Sequence, residues 1–263
     1  MARKEGLQIL LRIDDLDQAR YRPEYLEDIF RSLEAIGIDY DQGPQSVSEF
    51  ERDWSQVKRQ ELYRAQIARL LELDLVFACS CSRKEITARS KDGFYDGFCD
   101  KRNLKWSLKS ELSLRWRRSE GSLALKAWKQ VEKSGALAGS LKQVVLFSKD
   151  QHSAYQLSSL MDDLHFGVSH ILRGQDLFDS SIAQSLLAED LDLLDFRKIH
   201  FHHHPLIKEN GIKLSKSKEA PAAQIYLEKE KQQLLLNQLA QYLDLPSTGS
   251  SLSELLAIYK DQK

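Results

Sequence analysis

The cysteines of this chain are few and close together. The 263 residues include three, in the stretch CSCSRKEITARSKDGFYDGFC, where Cys79 and Cys81 form a CxC pair and Cys99 follows a glycine-containing turn. Thiolates are soft ligands that suit zinc, and a structural zinc site takes four donors in a tetrahedron. The fourth donor would be Tyr95 or a water molecule. Free buried cysteines are the alternative, because CxC is less diagnostic than CxxC.

Two lysines in a second polar stretch are candidates for phosphate binding. The stretch KENGIKLSKSKEAP contains Lys213 and Lys216, with Gly211 before them and Pro221 after them. This pattern is typical of a surface loop. Solvation alone explains most lysine-rich loops, so phosphate binding needs support from the rest of the chain.

Charged residues also stand where two predicted strands end. Asp14 closes LLRID, Arg173 closes SHILR, and Tyr155 begins a predicted helix. In a parallel α/β sheet, ligands bind beyond the carboxyl ends of the strands. There an aspartate can hold an ammonium group and an arginine a carboxylate. These opposite charges indicate an amino-acid pocket, and a triphosphate bound beside it would explain the lysine-rich loop.

A basic region follows the cysteines. Residues 101–150 hold twelve Lys and Arg against four acids, within a chain whose net charge is −1. Three of the four tryptophans, Trp106, Trp116 and Trp128, lie in this region. Cations with aromatic rings suit a nucleic acid, through phosphate contacts and base stacking. A solvated face with tryptophans that point inward is an equally good interpretation.

The elements that must position these residues alternate between strand and helix. Short apolar runs predict strands, and apolar residues that recur at helical spacing after Pro23 predict a helix. The predicted order is strand 7–14, helix from Pro23, helix 59–74, strand 75–79, strand 143–150, helix 154–167, strand 168–174, helix 180–191 and an extended piece 198–206. This order indicates a parallel α/β sheet interrupted by an insertion.

Composition narrows the class of protein. Hydrophobic residues make up 42% and charged residues 29%, as in folded globular domains. No long apolar run spans a membrane, no secretion signal is visible, and an odd number of cysteines argues against a disulfide framework. We therefore expect a soluble, cytoplasmic protein without a membrane partner. The stretch HFHHHP, with His200, His202, His203 and His204, is interpreted as partly exposed strand histidines and not as a metal site.

Four motifs resemble those of a known family. The segments RIDDLD, AYQLSSLMDD, VSHILRGQDL and KLSKS occur in the order of RIEDxD, AYxLA…DD, VxxxxRGxDL and KMSKS in the class I glutamyl/glutaminyl-tRNA synthetase catalytic domain. The cysteine pattern CSCS…YDGFC is similar to that of a short paralogous group within the family, which carries a zinc-binding insertion. The resemblance covers most of the chain.

This resemblance implies a fold and an activity. The fold is a Rossmann-like α/β catalytic domain with a zinc-binding insertion and a small helical C-terminal part. The activity is ATP-dependent activation of glutamate, with Mg²⁺, and its transfer to the queuosine base of tRNA(Asp). We expect the enzyme to act as a monomer. The implied segments are 1–78 (an N-terminally incomplete nucleotide-binding half), 79–142 (the zinc-binding and basic insertion), 143–217 (a second α/β half ending in KLSKS) and 218–263 (a helical segment).

The resemblance also assigns roles to individual residues. Lys216 would contact the ATP phosphates, and Lys213 would help to orient its loop. The residues that match glutamate-binding positions are Asp14, Tyr155 and Arg173. One structural zinc ion would be held by Cys79, Cys81, Tyr95 and Cys99.

Two features depart from the family pattern. The first strand and the HIGH-type loop are not found in the sequence, and Asp14 stands where the family has glutamate. One interpretation is an aminoacyl transferase whose start lies upstream, and we then expect no glutamate activation by the 263 residues alone. The others are a catalytic fragment of a glutamyl-tRNA synthetase and a non-catalytic relative that binds tRNA or zinc.

Overall fold

The computed structural model describes residues 1–19, 21–206, 208–209, 212–213, 228–246 and 249–261. The helices in these ranges are α1 (Ala2–Glu5), α2 (Pro23–Ile36), α3 (Val47–Glu49), α4 (Gln60–Glu72), α5 (Arg83–Arg89), α6 (Tyr155–His165), α7 (Phe178–Asp190), α8 (Lys229–Tyr242) and α9 (Leu252–Asp261). The strands are β1 (Val76–Cys79), β2 (Ser113–Trp116), β3 (Ser122–Leu125), β4 (Lys133–Ala136), β5 (Val145–Phe147), β6 (His170–Gly174), β7 (His200–His204), β8 (Lys208–Glu209) and β9 (Ile212–Lys213). None of these helices is long and apolar enough to cross a bilayer.

The chain forms two compact units. The first unit consists of Met1–Lys58 and Leu206–Lys263, and the second unit of Arg59–Pro205. The second unit contains the cysteines and the basic region. In the first unit, α2 begins at Pro23, as the sequence predicts, because proline suits the first turn of a helix.

The prediction of a first strand at residues 7–14 is wrong. This segment makes a single isolated bridge, in which Leu10 pairs with Gln42, together with backbone hydrogen bonds from Leu11 to Gln42 and from Asp41 to Ile9. A strand needs a neighbour that continues the ladder, and among the described residues of the first unit only this short contact is made. The segment is therefore not part of a described sheet.

The second unit is built around helices α4, α6 and α7. Helix α6 packs against α4 and α7, and α7 packs against β3. Fully buried Leu157 and Leu160 of α6, with Ile182 and Leu186 of α7, form much of the core. The predicted helices 59–74, 154–167 and 180–191 are thus confirmed as α4, α6 and α7.

The sheets of the second unit are only partly parallel. Strands β6 and β7 pair in parallel, with Arg173 opposite His203. Strands β1, β2 and β5 form an antiparallel sheet in which Phe77 faces Arg115 and Leu114 faces Phe147. The prediction that LVFAC belongs to a parallel sheet is therefore wrong, because β1 takes its partner from the insertion. This pairing fixes Cys79 at the end of a three-stranded sheet.

Candidate active site and metal centre

Three buried sulfur atoms, those of Cys79, Cys81 and Cys99, form what we call the cysteine centre, and they lie within 4.8 Å of one another. Cys79 is the last residue of β1, and Cys81 lies just before α5. A capping box between Ser82 and Glu85 starts α5. The chain then returns, so that the sulfur atoms of Cys81 and Cys99 are 3.4 Å apart. The sequence prediction that the three cysteines meet is confirmed.

The phenol of Tyr95 lies beside this centre. Its oxygen accepts a hydrogen bond from the backbone N–H of Cys99 at 2.7 Å and lies 3.6 Å from the sulfur of Cys79. The ring stacks on Phe77, with centroids 6.1 Å apart. Zinc binds sulfur and oxygen donors in four-coordinate structural sites. Three thiols and one phenol oxygen, gathered in the interior, therefore fit a single zinc ion.

Their surroundings make the thiol of Cys99 easier to ionise than the thiol of Cys81. Burial acts to raise the pKa of Cys99, but hydrogen bonds to its sulfur outweigh burial and lower the pKa to about 6. The contributing groups are the backbone N–H of Ser80 and the side chains of Cys81, Tyr95 and Arg102. Burial and the hydrogen bond with Cys99 raise the pKa of Cys81 to about 11. Cys99 is thus the more acidic of the two.

Each sulfur of the cysteine centre also lies close to one guanidinium group. The pairs are Arg89 Nη2 and Cys81 Sγ at 3.2 Å, Arg102 Nη1 and Cys99 Sγ at 3.6 Å, and Arg115 Nε and Cys79 Sγ at 3.3 Å. These contacts are not predicted by the sequence, in which Arg102 and Arg115 stand within the basic region. The available signal was an arginine inside the apolar run LSLRW, which indicates a buried charge that needs a partner.

The candidate glutamate-binding aspartate lies in the first unit. Asp14 is exposed, and Arg12 Nε donates to its Oδ1 at 3.1 Å. The neighbouring Asp15 is buried and accepts hydrogen bonds from Ser55 Oγ at 2.5 Å and from the backbone N–H of Gln56 at 2.8 Å. Asp15 therefore anchors the segment RIDD within the first unit, while Asp14 remains accessible.

The other two candidate glutamate-binding residues lie in the second unit. Tyr155 is the exposed first residue of α6. Arg173 lies in β6, where its Nη1 donates to Oε1 of Gln184 at 3.0 Å and its Cζ lies 5.2 Å from the centre of the Phe201 ring. Helix α7 and strand β7 thus hold this guanidinium in place.

The lysine motif is described only in part. Lys213 is the second residue of β9, which pairs with β8 in an antiparallel ladder. Lys216 lies outside the described residues. The first residue of KLSKS therefore lies in β9, opposite Lys208 of β8.

Comparison with known proteins identifies the family. Residues 1–245 match the family described as tRNA synthetases class I (E and Q), catalytic domain. The chain belongs to this family. It is therefore an enzyme of the aminoacyl-tRNA synthetase type, a class of ligases.

Similar proteins carry a narrower name. The synthetase is 32% identical to "Glutamyl-Q tRNA(Asp) synthetase" from Pseudomonas entomophila, over 96% of this chain and 80% of the relative. It is 33% identical to the protein of that name from Neisseria meningitidis serogroup A, over 93% of this chain and 80% of the relative. For the protein of that name from Chromobacterium violaceum, the identity is 36%, over 84% of this chain and 71% of the relative.

The fold is shared with longer solved structures. A glutamate-tRNA synthetase from Elizabethkingia anophelis superposes with a TM-score of 0.65 at 22% identity, over 82% of this chain and 47% of that one. A glutamate tRNA ligase from Elizabethkingia meningosepticum superposes with a TM-score of 0.64 at 21% identity, over 80% and 46%. The synthetase thus spans about half the length of these two chains, and the likeness concerns the class I catalytic fold.

The basic region of the synthetase offers fewer groups to a nucleic acid than its composition suggests. Trp116 and Trp128 are buried, so the inward interpretation is correct for both, and base stacking by them is excluded. Arg117 forms ion pairs with Asp74 and Asp100, and Arg118 forms ion pairs with Glu189 and Asp190. The exposed cations are the lysines at 101, 105, 109, 126, 129, 133, 142 and 149, together with Arg102.

The histidines of β7 are more buried than expected. His203 shares a hydrogen bond of 2.7 Å with Ser181, and His202 donates from Nδ1 to the carbonyl oxygen of Trp128 at 2.7 Å. The prediction of partly exposed histidines is right for His200 and His204 and wrong for these two, because α7 and Trp128 cover them. Within the described part of the chain, the cysteine centre is the group of three or more metal-ligating side chains placed to hold an ion.

Proposed function

We propose that the synthetase activates glutamate with ATP and transfers it to the queuosine base of tRNA(Asp). The observation that carries this proposal is the similarity to glutamyl-Q tRNA(Asp) synthetases, at 32–33% identity over nearly the whole chain and four fifths of the relatives. The motifs RIDDLD, AYQLSSLMDD, VSHILRGQDL and KLSKS, in this order, support the same activity.

Three residues would bind glutamate. Arg173 would hold a carboxylate through its planar pair of N–H donors, Asp14 would accept from the ammonium group, and Tyr155 would contribute a hydrogen bond. The exposure of Asp14 and Tyr155 and the fixed position of Arg173 support these roles. Aspartate is shorter than the glutamate of the family motif by one methylene, which weakens the ammonium contact.

ATP, with Mg²⁺, would react with the bound amino acid. A carboxylate oxygen of glutamate attacks the α-phosphorus, a mixed anhydride forms, and pyrophosphate leaves. Negative charge grows on the phosphates during this step, and Lys216 would stabilise it. Lys213 would orient the loop that carries Lys216. In the transfer step, a nucleophile of the queuosine base attacks the carbonyl carbon and AMP leaves.

One zinc ion would be bound by Cys79, Cys81, Cys99 and Tyr95. With four protein donors no position is left for substrate, so the role of the metal is structural. When bound, the ion would hold the end of β1 to the segment around Cys99 and so order the insertion. The burial of all three cysteines supports a closed site.

The transfer experiment separates this proposal from its alternatives. Labelled glutamate and ATP are supplied with tRNA(Asp) that has or lacks queuosine, each with an intact 3′ end or with its 3′-terminal adenosine removed. We expect label only on tRNA with queuosine, whether or not the terminal adenosine is present. Label that disappears when the terminal adenosine is removed would indicate ordinary glutamyl-tRNA formation. Absence of label from every tRNA, with tRNA binding retained, would indicate a non-catalytic relative if it persists in a version of the protein that carries a HIGH-type loop.

A further inference from the structure

The buried cation nearest to the cysteine centre is Arg115, in the middle of β2. Its side chain is in contact with Cys79 at 3.3 Å, with the carbonyl oxygen of Gln143 at 2.9 Å, and with the ring of Tyr95, whose centre lies 3.9 Å from its Cζ. The residue is only 8% exposed. No carboxylate of the described residues lies within ion-pair distance of Arg115.

A guanidinium group stays ionised inside a protein, and burying it without an anion is strongly unfavourable. The other buried arginine among the described residues follows this rule: Arg59, equally buried, is paired with Asp162. The carbonyl and the aromatic ring beside Arg115 supply partial charges only. The remaining contact is the sulfur of Cys79, so the anion that balances Arg115 must belong to the cysteine centre.

The proposed zinc site supplies such an anion. Zinc brings two positive charges, three thiolates bring three negative ones, and the centre keeps one net negative charge with a neutral phenol as fourth donor. We propose that Arg115 is the counter-ion of the metal–thiolate centre and positions both Cys79 and Tyr95 for the metal. The inference rests on the proposed zinc site and extends it to a residue outside the four ligands.

The position of Arg115 suits this role. Its backbone is held between β1, where it faces Phe77, and β5, where it faces Val145. The side chain therefore has little freedom, and one guanidinium group touches two of the proposed ligands at once. Arg89 and Arg102 contact the other two sulfurs, but both are exposed, and Arg89 also pairs with Asp96. Their charges are screened by water, so Arg115 carries the larger share.

The test measures zinc affinity by competition with a chelator. Arg115→Met keeps the apolar stem and removes the charge, Arg115→Lys keeps the charge, and Arg102→Met removes the exposed guanidinium beside Cys99. Arg118→Met is the remote control, since its ion pairs with Glu189 and Asp190 do not involve the cysteines. We expect Arg115→Met to weaken zinc binding by about 10- to 100-fold, as for other groups that contact metal ligands. Arg115→Lys and Arg102→Met should lose less zinc affinity, and Arg118→Met should bind zinc as tightly as the wild type does.

Thermal unfolding provides a second measurement, which remains informative if a variant is less stable than the wild type. In zinc-loaded protein, Arg115→Met should lower the midpoint relative to the wild type. In metal-free protein the cysteine centre is a weaker anion, so Arg115 is a poorly compensated buried charge. Removing this charge should leave the unfolding midpoint equal to that of metal-free wild-type protein or raise it.

Three results would overturn the inference. Wild-type zinc affinity in Arg115→Met would exclude a counter-ion role, and equal losses in Arg115→Met and Arg115→Lys would indicate shape and not charge. If the wild-type protein binds no zinc, the proposed zinc site itself is wrong, and this result is obtained before any variant is made.

Discussion

Arg59 and Asp162, 103 positions apart, form a two-point ion pair in the interior of the second unit. Arg59 Nε lies 2.7 Å from Oδ1 of Asp162 and Nη2 lies 2.9 Å from Oδ2, while the hydroxyl of Tyr63 donates to the same carboxylate at 2.6 Å. Asp162 is the first aspartate of AYQLSSLMDD and is fully buried. This residue of the family motif therefore joins α4 to α6.

Neutralising this carboxylate should destabilise the protein. Asp162→Asn leaves the buried Arg59 without its anion, and we expect the free energy of unfolding to fall by about 3–5 kcal/mol. Urea unfolding measures the change. The matched control is Asp195→Asn, which breaks the exposed pair with Lys198 and should cost less than about 1 kcal/mol. Equal effects of the two changes would contradict the prediction.

His203 should make stability depend on pH. Burial, with the positive charges of Arg173 and Lys133 next, lowers the pKa of His203 from 6.5 to about 4. Between these values the unfolded chain binds more protons than the folded protein. The free energy of unfolding should therefore fall as the pH is lowered from about 6.5 to about 4.

His203→Gln tests this dependence, because glutamine keeps a polar side chain without the titration. Unfolding midpoints measured across the interval should vary less with pH in the variant than in the wild type. Parallel curves for the two proteins would show that another group is responsible.

The metal prediction concerns the fourth donor. Purified protein should contain about one zinc ion per chain. Cys99→Ser should lose the metal together with order in residues 79–99, while Tyr95→Phe should keep it with weaker affinity, because water can replace one oxygen donor but not the sulfur. Elemental analysis and thiol titration give the measurement. Metal-free, well-folded protein with three reactive thiols would refute the zinc site.

Lys216 should act on the chemical step. In a version of the protein that carries a HIGH-type loop, Lys216→Ala is expected to reduce glutamate-dependent ATP–pyrophosphate exchange by roughly 10²–10³-fold, since it removes a donor that stabilises the developing phosphate charge. Glutamate binding should hardly change. Lys218→Ala, in the same polar stretch of the sequence but outside KLSKS, is the control and should retain most of the activity. A loss of the same size in both variants would argue against a specific phosphate contact.

Binding of tRNA should depend on exposed lysines and not on Arg117 and Arg118, whose charges are already paired within the second unit. A triple change of Lys101, Lys105 and Lys109 to Ala should weaken tRNA binding and reduce its salt dependence by about one unit of log–log slope per lost phosphate contact. Lys198→Ala, outside the basic region, is the control. An unchanged slope in the triple variant would place the RNA elsewhere.

Local patterns in the sequence determined the helices and the candidate site residues. Helix α2 begins at Pro23 and α4, α6 and α7 lie where apolar periodicity predicts them, because helical hydrogen bonds join residues that are close in the chain. The clustering of Cys79, Cys81 and Cys99 in the sequence also predicted that the three cysteines meet, and the family resemblance predicted Tyr95 beside them. The roles of Asp14, Tyr155, Arg173, Lys213 and Lys216 remain predictions.

Only the tertiary structure decided which strands pair with each other and which partner each charged side chain has. The segment 7–14 and strand β1 have similar apolar sequences, yet only β1 finds a long ladder, with β2, which lies far along the chain. Likewise, twelve cations between 101 and 150 look alike in sequence, but Arg115 faces the cysteine centre while neighbouring arginines meet carboxylates from other elements. Strand pairing and charge compensation depend on which distant residues come close, and a local pattern does not contain that information.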